Sequence, residues 1–219
     1  MLAKRLPFVL ALLVLSLSTC CFAQKADISF TLGGTFVSDS KVNVLIPCPG
    51  PNCNTSTGTI QSGHHIYLEG TPALQLLNAK VASLYVEVPI AGIPSQNLHL
   101  TSSISTANLK DLSSLFVTPA LRLKVLPISP ISPFVSFGGG VAHYSLGTGT
   151  NNKGVLQYGG GLDFKTGLPF LGFRAEVRDF VSSDPNFGSA VNTLLGINNA
   201  QSGLHRHNVL AGGGVVLRF

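Results

Sequence analysis

The sequence predicts an all-β fold, an eight-stranded antiparallel transmembrane up-and-down β-barrel that follows a cleaved signal peptide. Three observations lead to this expectation. Apolar and polar residues alternate with period two in eight segments, which is typical of strands with one apolar face. The mean hydropathy is +0.38, yet beyond the N-terminal segment no apolar run is long enough for a membrane helix. Short and long connections alternate between the segments, as they do in barrels that cross a membrane.

The first residues have the layout of a secretory signal peptide. Lys4 and Arg5 precede an uncharged apolar run, and small and polar residues follow up to Ala23. The run is about half of the roughly 20 residues that a bilayer-spanning helix needs, so a permanent anchor is the weaker interpretation. We therefore expect residues 1–23 to be a signal peptide and residues 24–219 to form one barrel domain.

Charge is unusually scarce in this chain. Charged residues make up 11% of the sequence, where about 25% is usual. A barrel in lipid explains this composition, because it pairs all backbone groups between strands and turns every second side chain outward. The formal net charge of +5 falls to +3 when Lys4 and Arg5 leave with the signal peptide. Since no cluster of basic residues remains, nucleic acid is not an expected partner.

Four candidate strands occupy the N-terminal half, at residues 27–38, 65–77, 82–90 and 115–125. Each has one apolar face, and any charged residues lie on the opposite face with small polar ones. About 10 residues suffice for a tilted strand to cross the hydrocarbon. The apolar faces comprise Ile28, Phe30, Leu32 and Phe36; Ile66, Leu68, Pro72, Leu74 and Leu76; Ala82, Leu84, Val86, Val88 and Ile90; and Leu115, Val117, Leu121, Leu123 and Val125.

Four further strands are expected at residues 134–145, 155–165, 170–180 and 207–219, after a proline-rich turn. The last two show the alternation most clearly. Their apolar faces comprise Leu171, Phe173, Ala175 and Val177, and Val209, Ala211, Val215, Leu217 and Phe219.

The connections sort into two kinds. Strands two and three, four and five, and six and seven are joined by short turns. The others have polar loops, long at residues 39–64, 92–114 and 182–206 and brief at 146–153. This sorting predicts that both termini lie in the periplasm and that the long loops are extracellular. Two loops contain helix-like segments, Ala107 to Leu115 and Phe187 to Ile197.

The last 90 residues carry a family resemblance. Three glycine triplets, in residues 137–144, 158–164 and 210–219, stand within alternating strands together with residues 171–180. This series resembles the outer-membrane β-barrel family that includes OmpA-like, OmpW-like and opacity-type proteins. The resemblance implies a bacterial outer-membrane location, contact with outer-membrane lipid and with the barrel insertion machinery, and no cofactor. We expect a monomer.

The C-terminal residues look like the insertion signal of that family. Phe219 is the last residue, Leu217 lies two before it and Gly214 five before it. Gly212 occupies the place where a polar residue is usual.

An interior charge network is expected on the inward faces. An eight-stranded barrel is just wide enough for side chains to fill, so its inward charges should pair with one another. A charged conduit for a small solute is the functional alternative. Pairing through the turns places Gly159 and Gly161 opposite Glu176 and Arg174, and we expect such glycines to clear space for long side chains. The expected members are Glu69, Glu87, Arg122, Asp163, Arg174, Glu176 and Arg178. Lys124, Lys165 and Arg218 are further inward charges that should find partners in the lumen.

Cysteines and histidines offer few further sites. Two of the four cysteines lie in the signal peptide, and residues 17–20 loosely resemble a lipobox, although Thr19 is bulky for its position. Cys48 and Cys53 are expected to form a disulfide in an oxidising compartment. A metal site is conceivable where His205 and His207 share a strand face, but solvated histidines are the favoured interpretation. No metal or cofactor is expected.

The sequence thus favours a non-enzymatic outer-membrane barrel with a structural or surface-interaction role through its long loops. A narrow channel or carrier for small, hydrophobic solutes is the alternative. A soluble periplasmic barrel that binds an apolar ligand would need the opposite distribution, with a polar outer and an apolar inner face.

Overall fold

The computed structural model describes residues 25–38, 40–45, 55–101, 106–146, 149–183, 200–202 and 205–219. The expected signal peptide, residues 1–23, lies outside these ranges. Within them, no helix is long and apolar enough to cross a membrane. The described strands are β1 Ala26–Val37, β2 Ser40–Leu45, β3 Thr55–Ser62, β4 His65–Asn78, β5 Ala82–Glu87, β6 Ile90–Thr101, β7 Thr106–Val117, β8 Ala120–Val125, β9 Ile131–Leu146, β10 Gly149–Lys165, β11 Leu171–Ser182, β12 Ala200–Ser202 and β13 Arg206–Arg218.

These segments form a closed antiparallel ring of eight barrel strands, which confirms the predicted fold class. The ring runs β1, β4, β5 with β6, β8 with β7, β9, β10, β11 and β13. It closes because β13 pairs with β1 from Asp27 opposite Arg218 to Val37 opposite Asn208. Closure leaves no free edge in the ring, as a barrel in lipid requires.

Two of the barrel strands are interrupted by proline. β5 and β6 are halves of one strand separated at Pro89, and β7 and β8 are separated at Pro119. Proline has no backbone N–H to give to the ladder. The neighbouring amides keep the sheet together, since Val88 N donates to Pro72 O at 3.0 Å and Thr118 N donates to Pro89 O at 3.1 Å.

The predicted alternation sets the two faces of the wall. In β8 the burial alternates residue by residue, with Arg122 and Lys124 inside and Leu121 and Leu123 outside. The same rule holds along β1, β4 and β11. The interior is therefore largely polar and charged, and the exterior carries large apolar side chains.

The two rims differ in length. One, which we call the short-turn rim, contains the first and last described residues of the chain, Lys25 and Phe219, and the turns 79–81, 126–130 and 166–170. At the other, the hairpin rim, β6 and β7 pair with each other out to Thr101 opposite Thr106. There β2 and β3 form a further hairpin, which pairs with β6 and β12.

The hairpin between β6 and β7 corrects two sequence expectations. Residues 92–114 were expected to be a polar loop, and Ala107 to Leu115 a helix-like segment, but both lie largely in strands. A helix of nine residues is marginal in water, whereas pairing with β6 gives the β7 backbone a regular set of partners. The other helix-like segment, Phe187 to Ile197, lies outside the described residues.

The register between β10 and β11 differs from the expectation by two residues. Gly159 lies opposite Arg178, and Gly161 opposite Glu176. The pairing begins at Gly172 because a turn intervenes, in which the Thr166 hydroxyl donates to Leu171 O at 2.7 Å. A shift of two leaves every side chain on its expected face.

Candidate functional site in the barrel lumen

Nine ionisable side chains meet in one layer of the lumen, which we call the charge layer. They come from six of the eight barrel strands, and each residue is at most 4% exposed. The layer contains all seven residues of the expected interior network and Lys124, which was also expected to point inward, and it adds Asp27. Its members are Asp27, Glu69, Glu87, Arg122, Lys124, Asp163, Arg174, Glu176 and Arg178.

Arg178 connects the three strands that bear the glutamates of the charge layer. Its Nη1 lies 2.8 Å from Glu87 Oε1, and its Nη2 lies 3.0 Å from Glu176 Oε2. Its Nε lies 3.1 Å from Glu69 Oε1. A neighbouring hydroxyl adds a hydrogen bond, since the Thr31 hydroxyl donates to Glu176 Oε1 at 2.6 Å. One guanidinium therefore ties β4, β5 and β11 together across the lumen.

Arg122 and Arg174 hold the two aspartates. Arg122 Nη2 donates to both carboxylate oxygens of Asp27, at 2.8 and 2.9 Å. Arg174 grips Asp163 with Nε and Nη2, at 2.7 and 3.2 Å. Lys124 Nζ lies 2.5 Å from Asp163 Oδ2. Arg174 thus pairs two nitrogens with two oxygens, the bidentate arrangement that fixes geometry as well as charge.

Arg122 also joins the two halves of the layer. Its Nη1 lies 3.1 Å from Glu87 Oε2, the carboxylate that Arg178 also contacts. Its guanidinium carbon lies 4.5 Å from the centre of the Tyr85 ring. The Phe134 ring is 4.7 Å from the guanidinium carbon of Arg174. Aromatic faces thus cover the guanidinium planes that the carboxylates leave open.

Two inward glycines make room for large side chains. A Cβ at Gly159 would lie 2.9 Å from Arg178 Cγ, and one at Gly212 would lie 2.6 Å from the Tyr67 hydroxyl. Both separations are shorter than carbon atoms tolerate. The backbone of the neighbouring strand is closer still, with Val177 O and Leu32 O within 2.5 Å of the added Cβ atoms, so glycine accommodates both the adjacent strand and the inward side chain.

A second layer, which we call the apolar layer, lies toward the hairpin rim. Phe116 packs against Phe180 with ring centroids 4.9 Å apart and against Tyr144 at 5.9 Å. All of these rings are at most 1% exposed, although they point inward. Sequence analysis missed this layer, because it assigned inward positions to polar groups. The layer comprises Tyr67, Ile93, Leu112, Phe116, Tyr144, Phe180 and Leu210.

A polar cluster follows at the hairpin rim. Arg206 Nη2 donates to Gln96 Oε1 at 3.0 Å, and Gln96 Nε2 donates to Ser114 Oγ at 3.1 Å. Arg206 Nε also donates to Asn208 Oδ1 at 3.3 Å. Arg206 has the same parity as the inward residues of β13, so its position could have been found from the sequence.

The remaining predicted residues lie away from these layers. Gly214 faces the lumen, where Thr31 and Arg174 are its register partners. Leu217 is opposite Ile28, and the Phe219 side chain is 73% exposed on the outside. Cys48 and Cys53 lie outside the described residues.

The histidines near the hairpin rim form scattered polar contacts. His207 Nδ1 lies 2.7 Å from Asp179 Oδ2, which also accepts the Tyr158 hydroxyl at 2.7 Å. His143 Nδ1 lies 2.6 Å from Asn152 Oδ1. In the part of the chain that the structure describes, no group of three His, Cys, Asp or Glu residues is arranged to hold a metal ion.

Comparison with known proteins identifies the fold. No protein-family model and no curated protein matches the sequence. The outer membrane protein OprG from Pseudomonas aeruginosa matches the structure with a TM-score of 0.56 and 13% identity, covering 90% of this chain and 96% of that one. Neisserial surface protein A gives 0.44 and 11%, covering 87% and 97%. The outer membrane enzyme PagL gives 0.41 and 14%, covering 86% and 97%. The chain thus has the fold of small outer-membrane β-barrel proteins.

Proposed function

We propose that this chain is an integral outer-membrane barrel, closed to bulk ion flow, with a structural or surface-interaction role through the long connections at its hairpin rim. The observation that carries this proposal is the filled lumen. The charge layer and the apolar layer lie in series, and both consist of side chains that are almost completely buried. An eight-stranded barrel offers a lumen that such side chains can fill.

The outer wall supports the membrane location. Large apolar side chains are exposed on all sides of the ring, among them Phe30, Ile66 and Phe137 at 55%, 66% and 61%. A soluble monomer rarely exposes apolar patches larger than a few hundred Å². A soluble ligand-binding barrel needs a polar exterior, so the wall argues against that alternative.

We infer the sides of the membrane from the lengths of the connections. Outer-membrane barrels have short periplasmic turns and longer extracellular loops. The short-turn rim then faces the periplasm, and the hairpin rim faces outward. The long connections are the parts available to a partner outside the cell.

Two measurements test the proposal together. Heat-shift electrophoresis of the outer-membrane fraction should show a compact, heat-modifiable species. Planar bilayers with the purified protein should show no large, steady channels. Frequent openings with the conductance of a water-filled pore would contradict the closed lumen, and recovery in the soluble periplasmic fraction would contradict the membrane location.

The insertion role of the C-terminus is tested separately. Phe219 and Leu217 end the last strand on its outer face, where an insertion machinery could read them. Deletion of Phe219 should reduce the outer-membrane yield strongly, whereas Phe170→Ala, an exposed apolar change at the same rim, should not. Equal yields of the deletion variant and the parent would contradict the role.

A second candidate function is a carrier for small hydrophobic solutes. The apolar layer favours it, because Phe116, Phe180 and Leu210 offer aliphatic and aromatic contacts inside the lumen. Uptake of a hydrophobic solute by cells with and without the protein distinguishes this candidate. Faster uptake that Phe116→Ala alters would support the carrier over the closed barrel.

A further inference from the structure

A cavity opens at the short-turn rim, below the charge layer. It has a volume of about 410 Å³. Residues at the ends of the barrel strands and in the turns 126–130 and 166–170 line it. We call it the basal cavity. Tyr85 and Lys124 form part of its inner boundary with the charge layer. The cavity is therefore a recess that ends at the ion-pair network.

Three cations line this recess without a carboxylate partner. Among the described residues, no salt bridge involves Lys25, Lys165 or Arg218, which corrects the expectation that Lys165 and Arg218 pair with other inward charges. None of the residues that line the cavity is acidic. The nearest carboxylates are already engaged, since Asp27 pairs with Arg122 and Asp163 pairs with Arg174 and Lys124. The three side chains line the same cavity, so their positive charges repel one another.

The surrounding rim strengthens this positive potential. The short turns contain no Asp or Glu, and their one charged residue is Lys80. Exposed apolar residues such as Val81, Ile128 and Leu168 fill the rest of these turns. A recess lined by one sign of charge between low-dielectric walls concentrates ions of the opposite sign.

We propose that the basal cavity binds a phosphate group. The Arg218 guanidinium lies over Gly172, where a Cβ would come within 2.5 Å of Nη2, and it borders the cavity. Guanidinium and ammonium groups are the side chains that recognise phosphate oxygens. Tyr85 supplies a further donor, because its hydroxyl makes no hydrogen bond to a described residue.

Two sources of phosphate can reach this site. In the proposed orientation the rim lies at the level of the inner-leaflet headgroups, so a phospholipid headgroup or free phosphate from the periplasm would enter by the same opening. The site does not depend on the surface role of the hairpin rim, although its access from the periplasm rests on the proposed topology.

The test is calorimetric titration of the folded protein in a phosphate-free maltoside detergent. Inorganic phosphate is one probe, and short-chain phosphatidylglycerol is the other. Lys165→Gln removes a charge from the cavity, and Lys80→Gln is its matched control, because Lys80 stands on the same rim but does not line the cavity. Lys165 Nζ donates to Pro127 O, whereas the Lys25 side chain makes no hydrogen bond to a described residue. Lys25→Gln is therefore a second variant that removes no side-chain hydrogen bond. Heat-shift electrophoresis checks that each variant is folded.

We expect Lys165→Gln to weaken binding about tenfold, as the loss of one charge-assisted hydrogen bond does. Lys25→Gln should weaken binding about threefold, since exposed charge pairs contribute less, and Lys80→Gln should leave it unchanged. Binding of both probes with this pattern supports a general phosphate site. Binding of phosphatidylglycerol alone, with the same pattern, identifies the headgroup as the ligand. The proposal is overturned if neither probe binds, or if Lys80→Gln weakens binding as much as the cavity variants do.

Discussion

The charge layer and the apolar layer fill the same lumen by different means. In the charge layer, one arginine contacts three glutamates, and each aspartate is gripped by a guanidinium. In the apolar layer, the Phe116 ring meets Tyr144 edge to face and Phe180 at a tilt, and the Tyr144 hydroxyl shares one hydrogen bond with Ser182 Oγ at 2.6 Å. The first layer specifies which strands lie opposite each other, and the second mainly excludes water.

The difference has an energetic consequence. A buried ion pair contributes little net stability compared with an apolar substitute, but removal of one partner leaves an uncompensated charge. When an apolar side chain in the core is shortened, the loss of stability instead scales with the volume of the cavity that is left. We therefore expect the charge layer to tolerate few single changes, and the apolar layer to respond in proportion to size.

Arg178→Ala should be the most damaging of the changes considered. It leaves the carboxylates of Glu69, Glu87 and Glu176 facing one another without the cation that separates them. We expect the free energy of unfolding to fall by about 3 to 5 kcal/mol, the usual cost of breaking a buried pair. Urea titration in lipid vesicles, followed by heat-shift electrophoresis, measures it.

Two variants calibrate this result. Lys80→Ala, an exposed basic residue in a turn, should change the unfolding free energy by no more than about 0.5 kcal/mol. Arg178→Lys keeps the charge but not the planar fork, so it should be intermediate. If Arg178→Ala unfolds at the same urea concentration as Lys80→Ala, the network does not stabilise the barrel.

Phe116→Ala probes the apolar layer. Phe137→Ala is a lipid-facing control. It removes a ring of the same size, but lipid chains can fill the space that is left on the outside. Phe116→Ala leaves a cavity in the lumen and should cost about 3 kcal/mol, more than the control by the cavity contribution. Equal losses in the same urea titration would show that the layer is not tightly packed.

The charge layer could largely be predicted from the sequence, because charge is rare and keeps to one parity in each strand. Arg174, Glu176 and Arg178 stand at alternate positions, which fixes their common face. Asp27 was missed although it shares the parity of Ser29 and Thr31. The partner of Asp27 could not be predicted, since Arg122 lies 95 positions away in the sequence.

The apolar layer and the hairpin rim were less accessible to sequence reasoning. Phe180 has the inward parity of Arg178, but parity alone does not say whether the lumen at that level is polar. The extent of β6 and β7 was underestimated because their residues do not alternate cleanly, and the pairing shifts register near Gln96. The length of the turn after β10 likewise sets the two-residue difference between the expected and the observed pairing of β10 with β11.

The cysteine pair outside both layers should have a smaller effect. Closing so short a loop contributes about 2 kcal/mol in the entropic model, and it would stiffen a loop tip rather than the barrel wall. Cys48→Ser with Cys53→Ser should therefore keep the heat-modifiable form. Mass spectrometry of the exported protein should find no free thiols before reduction, and the detection of two thiols would remove the basis of this prediction.

The smallest effect is expected for Glu69→Gln. The charge layer contains five carboxylates and four basic groups, so loss of one negative charge brings it to balance. Glu69 Oε2 has no hydrogen-bond partner among the described residues, whereas Oε1 lies 3.1 Å from Arg178 Nε and accepts from the Thr71 hydroxyl at 2.7 Å. Glutamine can keep that oxygen in place and turn its amide toward the unpartnered side. We expect a loss of less than about 1 kcal/mol, the net contribution of an ordinary hydrogen bond.

Glu87→Gln is the matched control within the same layer. Its Oε1 accepts from Arg178 Nη1 at 2.8 Å and from the Ser136 hydroxyl at 2.7 Å. Its Oε2 makes no hydrogen bond to a described residue but lies 3.1 Å from Arg122 Nη1, so an amide nitrogen must point at one of the two guanidinium groups. This variant should lose about 1.5 to 3 kcal/mol, because it leaves a buried amide N–H against a cation. The two variants carry the same chemical change, and their unfolding free energies in one urea series isolate the effect of connectivity. Equal losses for the two glutamines would mean that the excess carboxylate is not Glu69, and that the layer distributes its charge over all of its members.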